Sequence, residues 1–259
     1  MINRNLLVIT ASAFLVFASC SNDNKTATFV NSGSSTQYIP VDSSSMAVAD
    51  SAMTEEIAPY KAHVDSMMNV EIGFSPKEYF KKKPNGLLNN IAADMVLEMT
   101  RKSLGNTGYS PDFCLLNYGG LRHPLPKGVI TISDVYQLMP FQNEVVILKL
   151  SGLQIDSLFE YIAATHGQPV AGCSVTVRNG HYISAKIGGK PFDKNRAYYL
   201  VTSDYLAKGG DRMKFLQNPQ ATYKTGMLLR NAMLEYIKEK TAEGKKIIAS
   251  DEERIKILD

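Results

Sequence analysis

Six side chains on or beside two glycine-pair loops offer this chain its chemistry. Asn117 and Arg122 stand in Asn117-Tyr118-Gly119-Gly120-Leu121-Arg122, Asp204 and Asp211 in Ser203-Asp204-Tyr205-Leu206-Ala207-Lys208-Gly209-Gly210-Asp211, and Phe141 and Tyr205 add two flat rings. Each loop follows an apolar, strand-like run, and consecutive glycines permit positive φ and the close approach of a ligand or a second backbone. Such a set suits a nucleoside: rings sandwich a base, a carboxylate accepts from ribose hydroxyls, and an arginine meets phosphate or ribose oxygens. Plainer roles fit as well. Phe141 after Pro140 suits a core position, Tyr205 a helix start, and Asp211 an Asx bond within its own turn. Residue types alone leave both readings open.

Groups that break bonds are harder to find. The four histidines (His63, His123, His166 and His181) have neither HxH nor HExxH spacing, and the three cysteines form no CxxC pair, so the sequence presents no metal-ligand set. Cys114 and Cys173 sit inside apolar, strand-like runs, which predicts two free thiols packed as small hydrophobes. The formal charge of +3 on 259 residues, without a basic-aromatic tract, excludes nucleic acid as an expected partner. A hydrophobic content of 44% is that of a globular chain.

The elements that must position these residues begin after a leader. Arg4, an apolar run from Leu6 to Phe17, and Ala18-Ser19 before Cys20 read as an export signal. The small residues ahead of the cysteine resemble a bacterial lipobox. The expectation is a signal peptide over 1–19, lipid on Cys20, a flexible tether over 20–45 and a folded domain over 46–259, anchored to a membrane on the periplasmic face or at the cell surface. Within the domain, helical spacing of Met53, Ile57, Tyr60, Val64, Met67 and Met68 predicts a helix from Ala49 to Met68, capped by Asp50 or Ser51. A strand follows over Val70–Phe74, then Lys81-Lys82-Lys83 as a solvated turn, with anion contact as the minority reading. Leu87–Leu104 is the clearest helix, with Asn90 and Asp94 on one side of it.

Further along, strands are expected over Phe113–Asn117, Glu144–Leu150, Tyr198–Thr202 and Glu253–Leu258, and helices over Ile132–Met139, Leu153–Thr165 and Thr225–Lys240. Asn179-Gly180 is the strongest hairpin signal, joining Ser174–Arg178 to Tyr182–Ile187. This order predicts a single α+β domain with a mixed β-sheet or paired sheets and packed helices.

Several of these segments, taken together, resemble one family. Leu88-Asn89-Asn90-Ile91-Ala92-Ala93-Asp94, Asn117-Tyr118-Gly119-Gly120-Leu121-Arg122, Pro140-Phe141-Gln142-Asn143, Thr202-Ser203-Asp204-Tyr205 through Gly209-Gly210-Asp211, and Glu253-Arg254-Ile255 are similar, in this order, to the C-terminal domain of 5'-nucleotidases. The resemblance implies that Phe141 and Tyr205 clamp the base and Asp211 receives ribose hydroxyls. It further implies that Asn117 touches the base and Arg122 the phosphate or ribose side. Tyr118 and Gln142 stand where the family has glycines, Arg212-Met213 depart from its pattern, and its arginine ahead of the first helix falls near Pro84, beside Lys83. Tyr118 would then fill part of the pocket. In the family a separate metallophosphatase domain binds two divalent metals and activates water. The implied role is therefore recognition of a nucleotide or nucleoside for a metallophosphatase partner, with no catalytic residue and no metal in this chain. A nucleoside-binding lipoprotein without such a partner, or a structural lipoprotein with a decayed pocket, are the rival expectations.

Overall fold

The computed structural model describes residues 51–105 and 109–258. The expected signal peptide, Cys20, the tether and the Asp50 cap lie outside the described residues. The chain divides after Met53 into two units, the second of which runs from Thr54 to Asp259.

The first described helix, α1, spans Ser51–Met68 and leads into strand β1 (Glu71–Ser75). Helix α2 (Leu87–Leu104) ends at Gly105, β2 covers Phe113–Leu115, β3 Gly128–Thr131 and α3 Ile132–Leu138. Then come β4 (Glu144–Leu150), α4 (Gly152–Ala164), β5 (Val170–Ala171), β6 (Cys173–Arg178), β7 (His181–Ile187) and β8 (Lys190–Pro191). Strand β9 (Tyr198–Ser203), a short helix α5 (Asp204–Ala207), β10 (Ala221–Leu228), α6 (Leu229–Ala242) and β11 (Ile255–Leu258) complete it.

The central sheet has the order β10-β4-β9-β2-β5, and a second sheet the order β11-β6-β7-β8. Strands β1 and β3 form a separate pair. Period-2 alternation sorts the central sheet between two cores. Cys114, Val145, Ile147 and Val201 face α2 and α6, while Phe113, Leu115, Val146, Leu148 and Leu200 face α4 and the second sheet. Both faces of the central sheet are covered, which is why its strands read as unbroken apolar runs. This is the mixed α+β arrangement expected. Cys114 and Cys173 are buried and free.

Local sequence explains most boundaries. Thr131 with Asp134 and Ser151 with Gln154 form capping boxes that start α3 and α4. Asn179 and Gly180 take φ of 53° and 78°, the left-handed pair that a two-residue hairpin turn requires. One expectation fails: Thr225–Leu228 is strand, and the last helix begins at Leu229. Lys224 pairs with Val146 and Leu228 with Glu144 in the β4 ladder, and the Thr225 hydroxyl donates to Val145 O at 2.7 Å. Tertiary pairing overrides the helical pattern there.

Asn90 and Asp94, one turn apart on α2, share a side of the helix and both hold the segment around Arg254. Arg254, only 5% exposed, donates to the backbone carbonyls of Asn90 and Val170 and to the Asp94 carboxylate, while Asn90 Nδ2 donates to the carbonyls of Ser250 and Glu252. Burial pulls Asp94 toward its neutral form, raising its pKa despite the guanidinium. Removing Arg254 strands a half-buried carboxylate and two carbonyls, so Arg254→Ala should cost about 3 kcal/mol or more in urea denaturation. Burial also pushes the Cys173 thiol up to about 12 and raises Cys114 well above its ordinary value. Neither thiol should take up a maleimide in the native state at pH 7, and both should do so in denaturant, as read by mass spectrometry.

Candidate functional site

The central sheet gathers the two glycine-pair loops at one end. β2 and β9 run parallel, so the chain leaves both in the same direction, toward Asn117 and toward Tyr205. β4 is antiparallel to β9 and β10 to β4, which brings Asn143 before β4 and Leu229 after β10 to that end as well. The Thr202 hydroxyl, fully buried, donates to Leu115 O at 2.9 Å and locks the β2–β9 alignment where the loops depart.

There the structure forms a cavity of about 320 Å³ lined by Asn117, Arg122, Phe141, Tyr205 and Asp211, with Gly119, Gly120, Met139, Asn143 and Leu229 between them. Five of the six side chains that the sequence singles out thus face one space. Phe141 and Tyr205 are each 41% exposed, which is not core behaviour for either ring. Arg122 lies beside the Phe141 ring, its guanidinium carbon 6.0 Å from the centroid, and its Nη1 reaches Gly119 O at 3.5 Å.

Tyr205 and Asp211 form a closed pair. The Tyr205 hydroxyl donates to Asp211 Oδ1 at 2.7 Å and accepts from the Asp211 backbone N–H at 3.1 Å. The carboxylate in turn raises the phenol pKa. Asp211 and Arg212 take φ of 50° and 66°, left-handed backbone at two consecutive non-glycine residues, sustained by the Tyr205 bonds and by Tyr161, whose hydroxyl donates to Asp211 O at 2.9 Å. Gly210 is required for that closeness, since a Cβ there would lie 2.5 Å from Tyr205 ring atoms.

Asp204, the sixth, does other work. Its Oδ1 accepts from Asn143 Nδ2 and from Glu144 N–H, each at 3.1 Å, and Lys208 Nζ stands 2.7 Å from its Oδ2. Burial opposes its charge, yet these donors hold the carboxyl below the ordinary aspartate range. It ties the start of β4 to the end of β9.

Two expectations about the first loop are corrected. Tyr118 does not line the cavity. Its ring instead faces the lysine triplet, with Lys81 Nζ 4.7 Å and Lys83 Nζ 5.1 Å from the centroid. Nor are Lys81 and Lys83 part of a solvated turn, although Lys82 between them is exposed. Lys81 donates to Leu121 O at 2.6 Å, and Lys83 donates to Thr165 O. Burial, and then Arg122, lower the Lys81 pKa. Beneath the loop, buried Gln168 accepts from Tyr118 N–H at 2.9 Å and donates to the Thr165 hydroxyl. Arg230, 7% exposed, stacks 3.9 Å over the Tyr136 ring and reaches Met139 O, supporting the chain that leads to Phe141. Neither Gln168 nor Arg230 lies in a motif, so no sequence signal marks them. Lys81 reads in sequence only as part of a charged turn.

The set can therefore stack a planar group and hydrogen-bond its substituents. Among the described residues no group of three or more His, Cys, Asp or Glu side chains is placed to hold a metal ion.

The model of the 5'-nucleotidase C-terminal domain matches residues 66–218, more than half of the chain. The chain belongs to that family. A 5'-nucleotidase of Vibrio vulnificus is 25% identical over 205 residues, covering 73% of this chain and 34% of the relative. An apyrase of Tabanus yao is 29% identical over 166 residues, 56% of this chain and 29% of the relative. The crystal structure of a 5'-nucleotidase precursor from Thermus thermophilus superposes with a TM-score of 0.69 at 26% identity, covering 81% of this chain and 44% of that one. This 5'-nucleotidase C-terminal domain thus spans about a third of the length of the curated relatives it matches.

The Tyr205–Asp211 pair makes a local test. Tyr205→Phe should cost about 1 kcal/mol in urea denaturation through the lost hydrogen bonds. Gly210→Ala should cost more, because the added methyl must displace the ring itself.

Proposed function

We propose that this chain is the substrate-recognition part of a split 5'-nucleotidase, which binds a nucleotide or nucleoside for a separately encoded metallophosphatase. What carries the reading is the convergence of Asn117, Arg122, Phe141, Tyr205 and Asp211 on one cavity of about 320 Å³, within the usual range for small-molecule sites. In this reading the half-exposed rings of Phe141 and Tyr205 take the base. Asp211 keeps one oxygen on Tyr205 and offers the other to a ribose hydroxyl. Asn117 meets the base edge. Arg122, with Lys81 behind it, favours the phosphate side, since both cations have backbone carbonyls rather than carboxylates as partners. Two divalent metal ions in the partner would supply the activated water, and this chain would supply binding and orientation.

The same proposal has the chain exported and carried on a membrane by lipid at Cys20. Its support is the leader sequence before that cysteine. No helix among the described residues is long and apolar enough to cross a membrane. An open cavity between half-exposed rings argues against a decayed pocket.

Titration calorimetry with AMP and adenosine is the test. Saturable binding is expected. Phe141→Ala should weaken it about fivefold, as the loss of one stacking ring implies, and Asp211→Ala about tenfold or more, as a lost charge-assisted hydrogen bond implies. No binding of any nucleotide or nucleoside at millimolar concentration would sink recognition. Binding without co-purification of a metallophosphatase would leave a binding lipoprotein and remove the partner.

A further inference from the structure

Helix α1 keeps an apolar stripe in solvent. Ile57, Tyr60, Val64 and Met67 are 53%, 74%, 46% and 49% exposed, and they follow one another at intervals of three, four and three residues. That is the 3.5-residue period of a coiled-coil seam, narrower than the stripe a helix turns toward a domain core. By contrast α2 buries Leu88, Ile91, Ala92, Met95, Val96 and Met99 on a broad face. Helices draw most of their stability from packing an apolar face, and Pro59, inside α1, removes one of its backbone hydrogen bonds. The stripe is the face available for that packing.

We propose that α1 pairs with α1 of a second copy of this chain as a short, parallel, two-stranded coiled coil. In heptad terms Ile57 and Val64 occupy a, and Tyr60 and Met67 occupy d. Both a positions are β-branched, which is the a-position half of the pattern for two parallel strands, with Tyr60 and Met67 in place of leucine at d. The flanking charges agree. Glu56 falls at g and Lys61 at the following e, so in parallel register Glu56 of each copy faces Lys61 of the other, twice by symmetry. An antiparallel pair would set g against g and lose both contacts. Lys61 already bonds Asp65 on its own helix, an exposed pair that exchanges at little cost. Two heptads make a small interface, so the dimer is weak and depends on concentration. Confinement of two copies to one surface would favour it.

Sedimentation velocity of the full chain in mild detergent should show reversible, concentration-dependent dimerisation. Ile57→Glu and Val64→Glu should each raise the dimer Kd at least about tenfold, an easily resolved change, while the thermal unfolding midpoint of the dilute chain stays unchanged. Disulfide trapping fixes the geometry: Val64→Cys should cross-link copy to copy much faster than Ala62→Cys on the opposite side of the helix. Glu56→Lys should weaken the dimer, and Glu56→Lys combined with Lys61→Glu should restore it. A chain monomeric at every concentration, equal trapping at 62 and 64, or absence of charge-swap rescue overturns the proposal. So does capture of the stripe by a different protein while copies of this chain stay apart.

Discussion

Everything about the site depends on β2 and β9 lying parallel. Among the described strands of the central sheet this is the one parallel pair, its other neighbours being antiparallel, and it sends both glycine-pair loops off the same end. Parallel strands need a long crossover, and here it consists of β3, α3, β4, α4, β5 and the strands β6 to β8 of the second sheet. Those intervening elements are not passive. β4 returns between its neighbours to deliver Phe141 and Asn143 to the same end, and α4 packs beneath the loops, where Tyr161 reaches Asp211. Were β2 and β9 antiparallel, Asn117 and Asp211 would face opposite ends of the domain and no ligand would span them.

Departures from the family pattern find compensation within the same region. Tyr118, in place of a glycine, lies outside the cavity lining and sets its ring against two lysines. Cation–π contact and the Lys81 bond to Leu121 O then fix the Asn117–Arg122 turn from outside, while Gln168 fixes it from below. The result concentrates positive charge behind Arg122, where burial and that neighbouring guanidinium lower the Lys81 pKa.

Periodicity and caps made most of the architecture legible: α2, α4, the Asn179-Gly180 hairpin and the β4 and β9 strands stand where apolar spacing and turn chemistry put them. Those signals are local, and so are the structures they encode. β10 was hidden because an edge strand with Lys224 and Gly226 lacks a continuous apolar run, and its identity comes from β4 beside it. The glycine-pair loops marked the site, because conformational freedom leaves a trace in composition. What no local pattern carried was the set of long-range supports. Gln168 under the loop, Arg230 on Tyr136 and Arg254 on Asp94 are ordinary polar residues until the fold brings them to a partner.

Arg254 has a temporal meaning as well as a spatial one. It meets Asp94 across 160 positions of chain, and Ile255 then docks β11 parallel to β6. Helix α2 is therefore complete only in the folded domain, because Asn90 and Asp94 find their partners in a segment distant in sequence. Contacts of this sequence separation carry a large loop-closure entropy and are slow to form.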